Sequence, residues 1–164
     1  MSGISITTDH RDLGRMSGRV MNFLANLADP RELLEGFGDA LLLNIDQRFE
    51  DGEGPDGTPW QKAARGGQTL VNTARLRNSF DKRVSDRDVA VGTNVIYASI
   101  HQTGGTIKPK RKRVLAFTIG GNPVFASQVT IPARPFLGIG DKDVKAMRGV
   151  LADFIRDAKA EARP

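Results

Sequence analysis

From Arg11 to Leu27 the apolar residues Leu13, Met16, Val20, Phe23, Leu24 and Leu27 recur at steps of three and four, the spacing that gathers side chains on one face of a helix. Asp29 interrupts the pattern. Asp29, Pro30 and Glu32 then restart it, with a side-chain acceptor at the N-cap, a proline at the first helical position and an acid in the first turn. The spacing predicts a second helix from Pro30 to Glu50, with Leu34, Phe37, Leu41, Ile45 and Phe49 on its buried side. Gly36 and Gly38 weaken its first half by roughly 1 kcal/mol each relative to alanine, and mark close packing or a bend.

Glycine and proline then crowd the segment from Asp51 to Gln68 and periodicity is lost, which predicts a long loop or lid at 51–68. A short helical stretch is expected from Asn72 to Ser79. Two strands, Phe80 to Ser85 and Asp88 to Thr93, follow around a turn at Ser85 to Arg87, with Val89 and Val91 alternating against polar neighbours. Val95 to Gln102 has helical spacing and stops at Gly104 and Gly105. Val114 to Ile119 and Pro123 to Ile131 flank Gly120, Gly121 and Asn122, a hairpin signature. Asp141 caps a last helix carrying Val144, Met147, Leu151, Phe154, Ile155 and Ala158 on one side. This order gives an α+β class: a small antiparallel sheet with a projecting hairpin, packed against N-terminal helices and a C-terminal helix. One domain over 1–164 is expected, with a flexible arm at 1–10 and a basic loop and hairpin at 106–130.

The 164-residue length suits one such domain, able to bury roughly two-thirds of its unfolded surface without crosslinks. The chain has no cysteine, which excludes disulfides, cysteine-ligated zinc, iron–sulfur clusters and thiol catalysis. No apolar run approaches the roughly 20 residues that span a bilayer, and Met1 to Arg11 is too polar for a secretory signal, so a soluble protein made inside the cell, with no membrane contact, is expected. The net charge is +5, and Lys108, Lys110, Arg111, Lys112 and Arg113 account for it within six residues. The basicity is therefore one patch. It fits a solvated loop, contact with nucleic acid, or an acidic protein partner, and its lack of interleaved aromatics argues against stacking on single-stranded bases.

Catalytic and cofactor chemistry finds little footing. Gly52, Gly54 and Gly57 match G-x-G-x-x-G, but the pattern follows a helix instead of a strand and contains Pro55, so no dinucleotide cofactor is expected. Asp51, Glu53 and Asp56 lack the order and terminal glutamate of a calcium loop. Of the two histidines, His10 lies in the N-terminal arm, and His101 stands near Ser99 at a spacing that points the two side chains apart on a helix. No zinc set is found, and the residues read as no enzyme. For a cell-wall hydrolase, Glu50 and Asp56 are the least unfavourable acidic pair. Trp60 either pins the long loop to the core or anchors an interface.

Two strings carry a family resemblance. Val91-Gly92-Thr93-Asn94-Val95-Ile96-Tyr97-Ala98-Ser99-Ile100-His101-Gln102-Thr103-Gly104-Gly105 and Ile131-Pro132-Ala133-Arg134-Pro135-Phe136-Leu137-Gly138 resemble the Mu-like phage virion morphogenesis family, also described as tail completion proteins. Phe49, Asp56-Gly57-Thr58-Pro59-Trp60 and Leu76-Arg77-Asn78-Ser79 are similar to further family features, in the expected order. At Ala74 and Arg75 the chain departs from the glycine the family often has before the leucine. The resemblance implies a structural protein of the virion neck, forming a ring at the head-to-tail junction, with no catalytic residue.

From this follow the expectations for partners and sites. The chain is expected to assemble with itself into a ring, a hexamer by the six-fold symmetry of tails, between a head-completion or connector protein and a tail terminator or tail tube protein. The ring would have possible non-specific contact with the packaged DNA. Lys108, Lys110, Arg111, Lys112 and Arg113 are the candidate contacts to the DNA channel or an acidic ring. Trp60, Tyr97, His101, Arg134 and Phe136 are the candidate oligomer interface, Arg134 and Phe136 because Pro132 and Pro135 favour an extended segment free of regular ladder bonding. No cofactor or metal is expected.

Overall fold

The computed structural model describes residues 4–7 and 30–161. The helix expected from Arg11 to Leu27 lies outside them. Within the expected flexible arm, Ile4–Thr7 form a strand, β1. The long helix α1 (Arg31–Asp51) follows, then a 3-10 turn at Arg77–Ser79, β2 (Phe80–Val84), β3 (Val89–Thr93), the short helix α2 (Ala98–Thr103), β4 (Gly105–Ile107), β5 (Leu115–Ile119), β6 (Asn122–Ala126), β7 (Val129–Ile131) and the closing helix α3 (Asp141–Glu161). The α+β class holds.

β3 is the centre of a three-stranded antiparallel sheet in the order β1-β3-β2, with Val91 opposite both Ile6 and Lys82. Val89, Val91 and Thr93 are buried while Ala90 and Gly92 are half-buried, the period-two pattern of a sheet with one face on a core. α1 covers that face. Its apolar residues at three- and four-residue spacing, Leu33, Phe37, Leu41, Ile45 and Phe49, are all buried, with Leu33 leading the stripe in place of Leu34.

α3 packs antiparallel to α1, and the two helices share a core of Leu33, Phe37, Val89, Met147 and Leu151. The expected close packing at the helical glycines is present. A Cβ on Gly36 would stand 2.7 Å from Val150 Cγ1 of α3, and one on Gly38 would meet Lys82 and Val89 at 2.7 and 3.0 Å. The second core joins Leu41, Ile45 and Phe49 to Trp60, Leu76, Val91, Val95, Ala98, Phe136 and Leu137.

Several boundaries differ from the expected ones for identifiable reasons. α1 starts one residue late, with Pro30 at the N-cap and its carbonyl accepting from Leu34 N–H at 2.9 Å. Asn72 to Ser79 reduces to the 3-10 turn because Ala74 takes a left-handed φ of 56°, which no right-handed helix accommodates. α2 begins at Ala98 and not Val95, since the Thr93 hydroxyl accepts Val95 N–H at 3.1 Å and holds 95–97 as a turn. α3 is not capped by Asp141. Asp143 reaches back to accept Gly140 N–H at 2.7 Å, the reciprocal half of a capping box.

The expected hairpin is present but divided. Gly120 and Gly121, at φ 57° and 87°, make the two-residue turn between β5 and β6. The second strand does not run on to Ile131: after Ser127 and Gln128 it resumes as β7 and pairs with β4, which the sequence pattern did not indicate. The result is one interrupted antiparallel ribbon from Gly105 to Ile131. On one side of the interruption stand only Ser127 and Gln128; on the other, the chain makes an excursion from Lys108 to Val114.

Candidate assembly surface

The segments that carry the family resemblance meet at one place, around a strap running from Arg134 to Gly140. Gln102 of α2 holds the strap by both ends of its amide, accepting Phe136 N–H and Leu137 N–H at 3.0 Å each and donating to the Leu137 carbonyl at 2.8 Å. Arg134 N–H donates to the His101 carbonyl at 2.7 Å. From the other side Trp60 Nε1–H donates to the Pro135 carbonyl at 2.8 Å, and its ring meets Phe49 edge-on at 5.4 Å. Phe136 fills the middle, 5.8 Å from Phe49 and 5.5 Å from Phe80.

The loop bearing Trp60 is built to deliver it. Asp56 accepts from the Thr58 backbone N–H and hydroxyl at 3.0 and 2.7 Å, which keeps its carboxyl below the usual range, and Trp60 N–H closes the loop on the Gly52 carbonyl at 2.7 Å. Pro55 of this loop lies against the strap so closely that a Cβ on Gly140 would fall 1.7 Å from its carbonyl oxygen. Asp51 and Glu53 face Lys142 at 3.6 and 2.6 Å, and Glu50 accepts from Arg77 at 2.7 Å. The acidic residues weighed for calcium or hydrolysis are thus engaged in turns and surface ion pairs.

Beneath the strap, Arg48 and Asp143 form an ion pair, their side chains 6% and 0% exposed. Arg48 also donates to the Phe136 carbonyl at 2.7 Å, and Asn44 donates to Asp143 at 3.0 Å. The carboxylate therefore ties α1 to α3 while the guanidinium ties α1 to the strap. Burial lowers the Arg48 pKa, against the opposing pull of Asp143.

The candidate interface residues divide on exposure. Phe136 and Trp60 are core residues, so their rings pin the strap and loop and are not offered to a neighbour. Arg134 is also buried: its Nε donates to the Gln61 carbonyl at 2.7 Å, which serves the fold of the loop. His101 is half-buried, edge-on to Tyr97 at 6.1 Å, with Nδ1 buried and unpartnered among the described residues. Burial first, and the neighbouring Arg134 second, hold its pKa below the usual histidine value. Ser99 turns away to the Ile96 carbonyl. Tyr97 is exposed, beside Ile96 at 83%.

The basic residues Lys108, Lys110, Arg111, Lys112 and Arg113 are all exposed on the excursion of the ribbon. Among the described residues no ion pair or side-chain hydrogen bond holds them, and no ribbon residue belongs to either hydrophobic core. Ile107 and Val114 bracket the cations and are exposed, as is Phe125 at 69%. A two-stranded ribbon is marginal in water by itself and gains stability when something covers it. No helix among the described residues is long and apolar enough to cross a membrane.

The cations thus stand on an exposed excursion of a β-ribbon that lies outside both cores of the α+β body. The chain belongs to the phage virion morphogenesis family, whose sequence model matches residues 11–156. It is similar to the Mu-like prophage FluMu G protein 2 of Haemophilus influenzae, with 36% identity over 125 residues, 76% of this chain and 77% of that protein. No solved structure matches it. The protein is thus a virion-associated phage protein of a generally structural family.

Proposed function

We propose that the chain is a non-enzymatic structural component of the virion neck, a homo-oligomeric ring that completes the tail and joins it to the head. The ring is a hexamer, set between a head-completion or connector protein and a tail terminator or tail tube protein. The observation that carries this reading is the ribbon from Gly105 to Ile131, ordered within itself yet outside both cores. Family membership supports it, and so does the use of the motif residues Trp60 and Gln102, which hold loop and strap together.

Inactivating the gene in its phage tests the reading. Infected cells are expected to accumulate filled heads and separate tails, and purified protein added to that lysate restores joined, infectious particles. Joined virions without the protein, or tails that never polymerise, overturn it.

A further inference from the structure

Outward on α1, Glu32, Glu35, Asp39, Leu43, Asp46 and Glu50 fall within an arc of about 80° over roughly 27 Å of helix, opposite the buried stripe. Lys82 bridges Glu35 and Asp39 at 2.7 and 2.6 Å; Arg77 bridges Asp46 and Glu50 at 2.5 and 2.7 Å. Two cations shared among four carboxylates, with Glu32 beyond them, leave the stripe a surplus of negative charge. Leu43, 71% exposed, sits in its middle.

The ribbon presents the complement. Its five cations are bracketed by exposed Ile107 and Val114, with Phe125 on the neighbouring strand. Exposed apolar residues met singly mean little, but here Leu43 stands inside an acidic surface while Ile107 and Val114 flank a basic one.

We propose that the ribbon of one copy lies along α1 of a second copy, its basic excursion facing the acidic stripe and Phe125 and Val114 covering Leu43. Ribbon and stripe are different surfaces of one chain, so within a ring the contact runs head-to-tail and repeats until a rotation closes it. Stabilisation comes from covering Leu43 and Phe125; the charges set register and speed encounter, and weaken with salt. The inference rests on the ring reading above and adds which surfaces meet.

The cysteine-free sequence gives a clean test. In the full-length protein carrying Leu43→Cys and Phe125→Cys, oxidation is expected to give a covalent ladder ending at the ring's copy number, absent from either single variant and from Ile96→Cys with Phe125→Cys. A second measurement uses charge. Lys110→Glu/Arg111→Glu/Lys112→Glu is expected to raise the dissociation constant for self-association at least tenfold, and a Glu32→Lys/Asp39→Lys/Glu50→Lys copy, which keeps Leu43 and makes the stripe basic, to restore assembly when mixed with it, with melting temperatures of all variants near wild type. A ladder from Phe125→Cys alone, meaning ribbon on ribbon, overturns the placement but keeps the ring. So does a triple variant that assembles normally yet loses salt-dependent binding to duplex DNA, which would give the loop to nucleic acid. A chain that stays monomeric at every concentration and on tail ends overturns the ring itself.

Discussion

Replacing Asp143 by alanine removes the carboxylate on which α1, α3 and the strap converge. Arg48, nearly as buried as its partner, would keep its charge in surroundings that water does not reach, a loss of about 3–5 kcal/mol for one partner of a buried pair. Gly140 N–H, also buried, loses its acceptor, which alone costs about 1–3 kcal/mol. Both losses fall in one network and overlap, so the expected total is about 4–6 kcal/mol. At ~2–4 °C per kcal/mol for a domain of this size, the melting temperature drops by about 10–20 °C. Against a whole stability of roughly 5–15 kcal/mol this approaches unfolding at 37 °C. Urea titration followed by Trp60 fluorescence measures it. Asp143→Asn, which keeps the shape and an acceptor oxygen, is expected to lose less and serves where the alanine variant is too unstable. Arg48→Met combined with Asp143→Leu leaves no unpaired charge and is expected to be more stable than Asp143→Ala, though below wild type because the Phe136 carbonyl loses its donor. A loss under about 1 kcal/mol for Asp143→Ala, or a double variant worse than the single one, refutes the reasoning.

Three further outcomes are expected. Ala74→Gly relieves a left-handed φ that costs a non-glycine residue about 1–2 kcal/mol, partly offset by the greater entropy of glycine in the unfolded chain, so denaturant midpoints should rise by the equivalent of about 0.5–1 kcal/mol. Trp60→Phe keeps a ring against Phe49 but leaves the Pro135 carbonyl without its donor, a loss of about 1–3 kcal/mol read by thermal melts. His101 has its folded pKa below 6.5, so the unfolded chain binds the proton first and stability from this group falls as pH drops from about 7 through 6.5 to the folded value. Urea midpoints at pH 7.5 and 5.5 should differ in wild type by more than in His101→Gln; an equal difference would remove His101 as the cause.

Much of the fold was legible in the sequence because its helices bury one face. The phase of Phe37, Leu41, Ile45 and Phe49 placed α1 within a residue at each end, and Val89 with Val91 placed β3. Local competition hid the rest. Thr93 captures Val95 N–H and shortens α2, Ala74 adopts a conformation the pattern cannot announce, and β4 and β7 pair across the basic excursion, a non-local choice. The site was half legible. The two strings and the Asp56 to Trp60 motif pointed to the segments that meet at the strap, and of the residues weighed there for an interface Trp60, Arg134 and Phe136 are buried within the monomer, since a proline-bracketed strap can be buried if side chains satisfy its backbone. Gln102 does so from within one string. Arg48 had a detectable signal, a charge in phase with the buried stripe of α1, and Asp143 another, an acid three residues after a helix start. The acidic stripe with Leu43 was visible in the same periodicity, on the face opposite the one followed.

The most direct test of the neck assignment is to image complete virions at the resolution of single rings, with the protein identified by a tag at its C-terminus. One ring of this chain at the head-to-tail junction, six copies around the channel, is the predicted result. Label along the tail tube, on the baseplate or absent from the finished particle would contradict it.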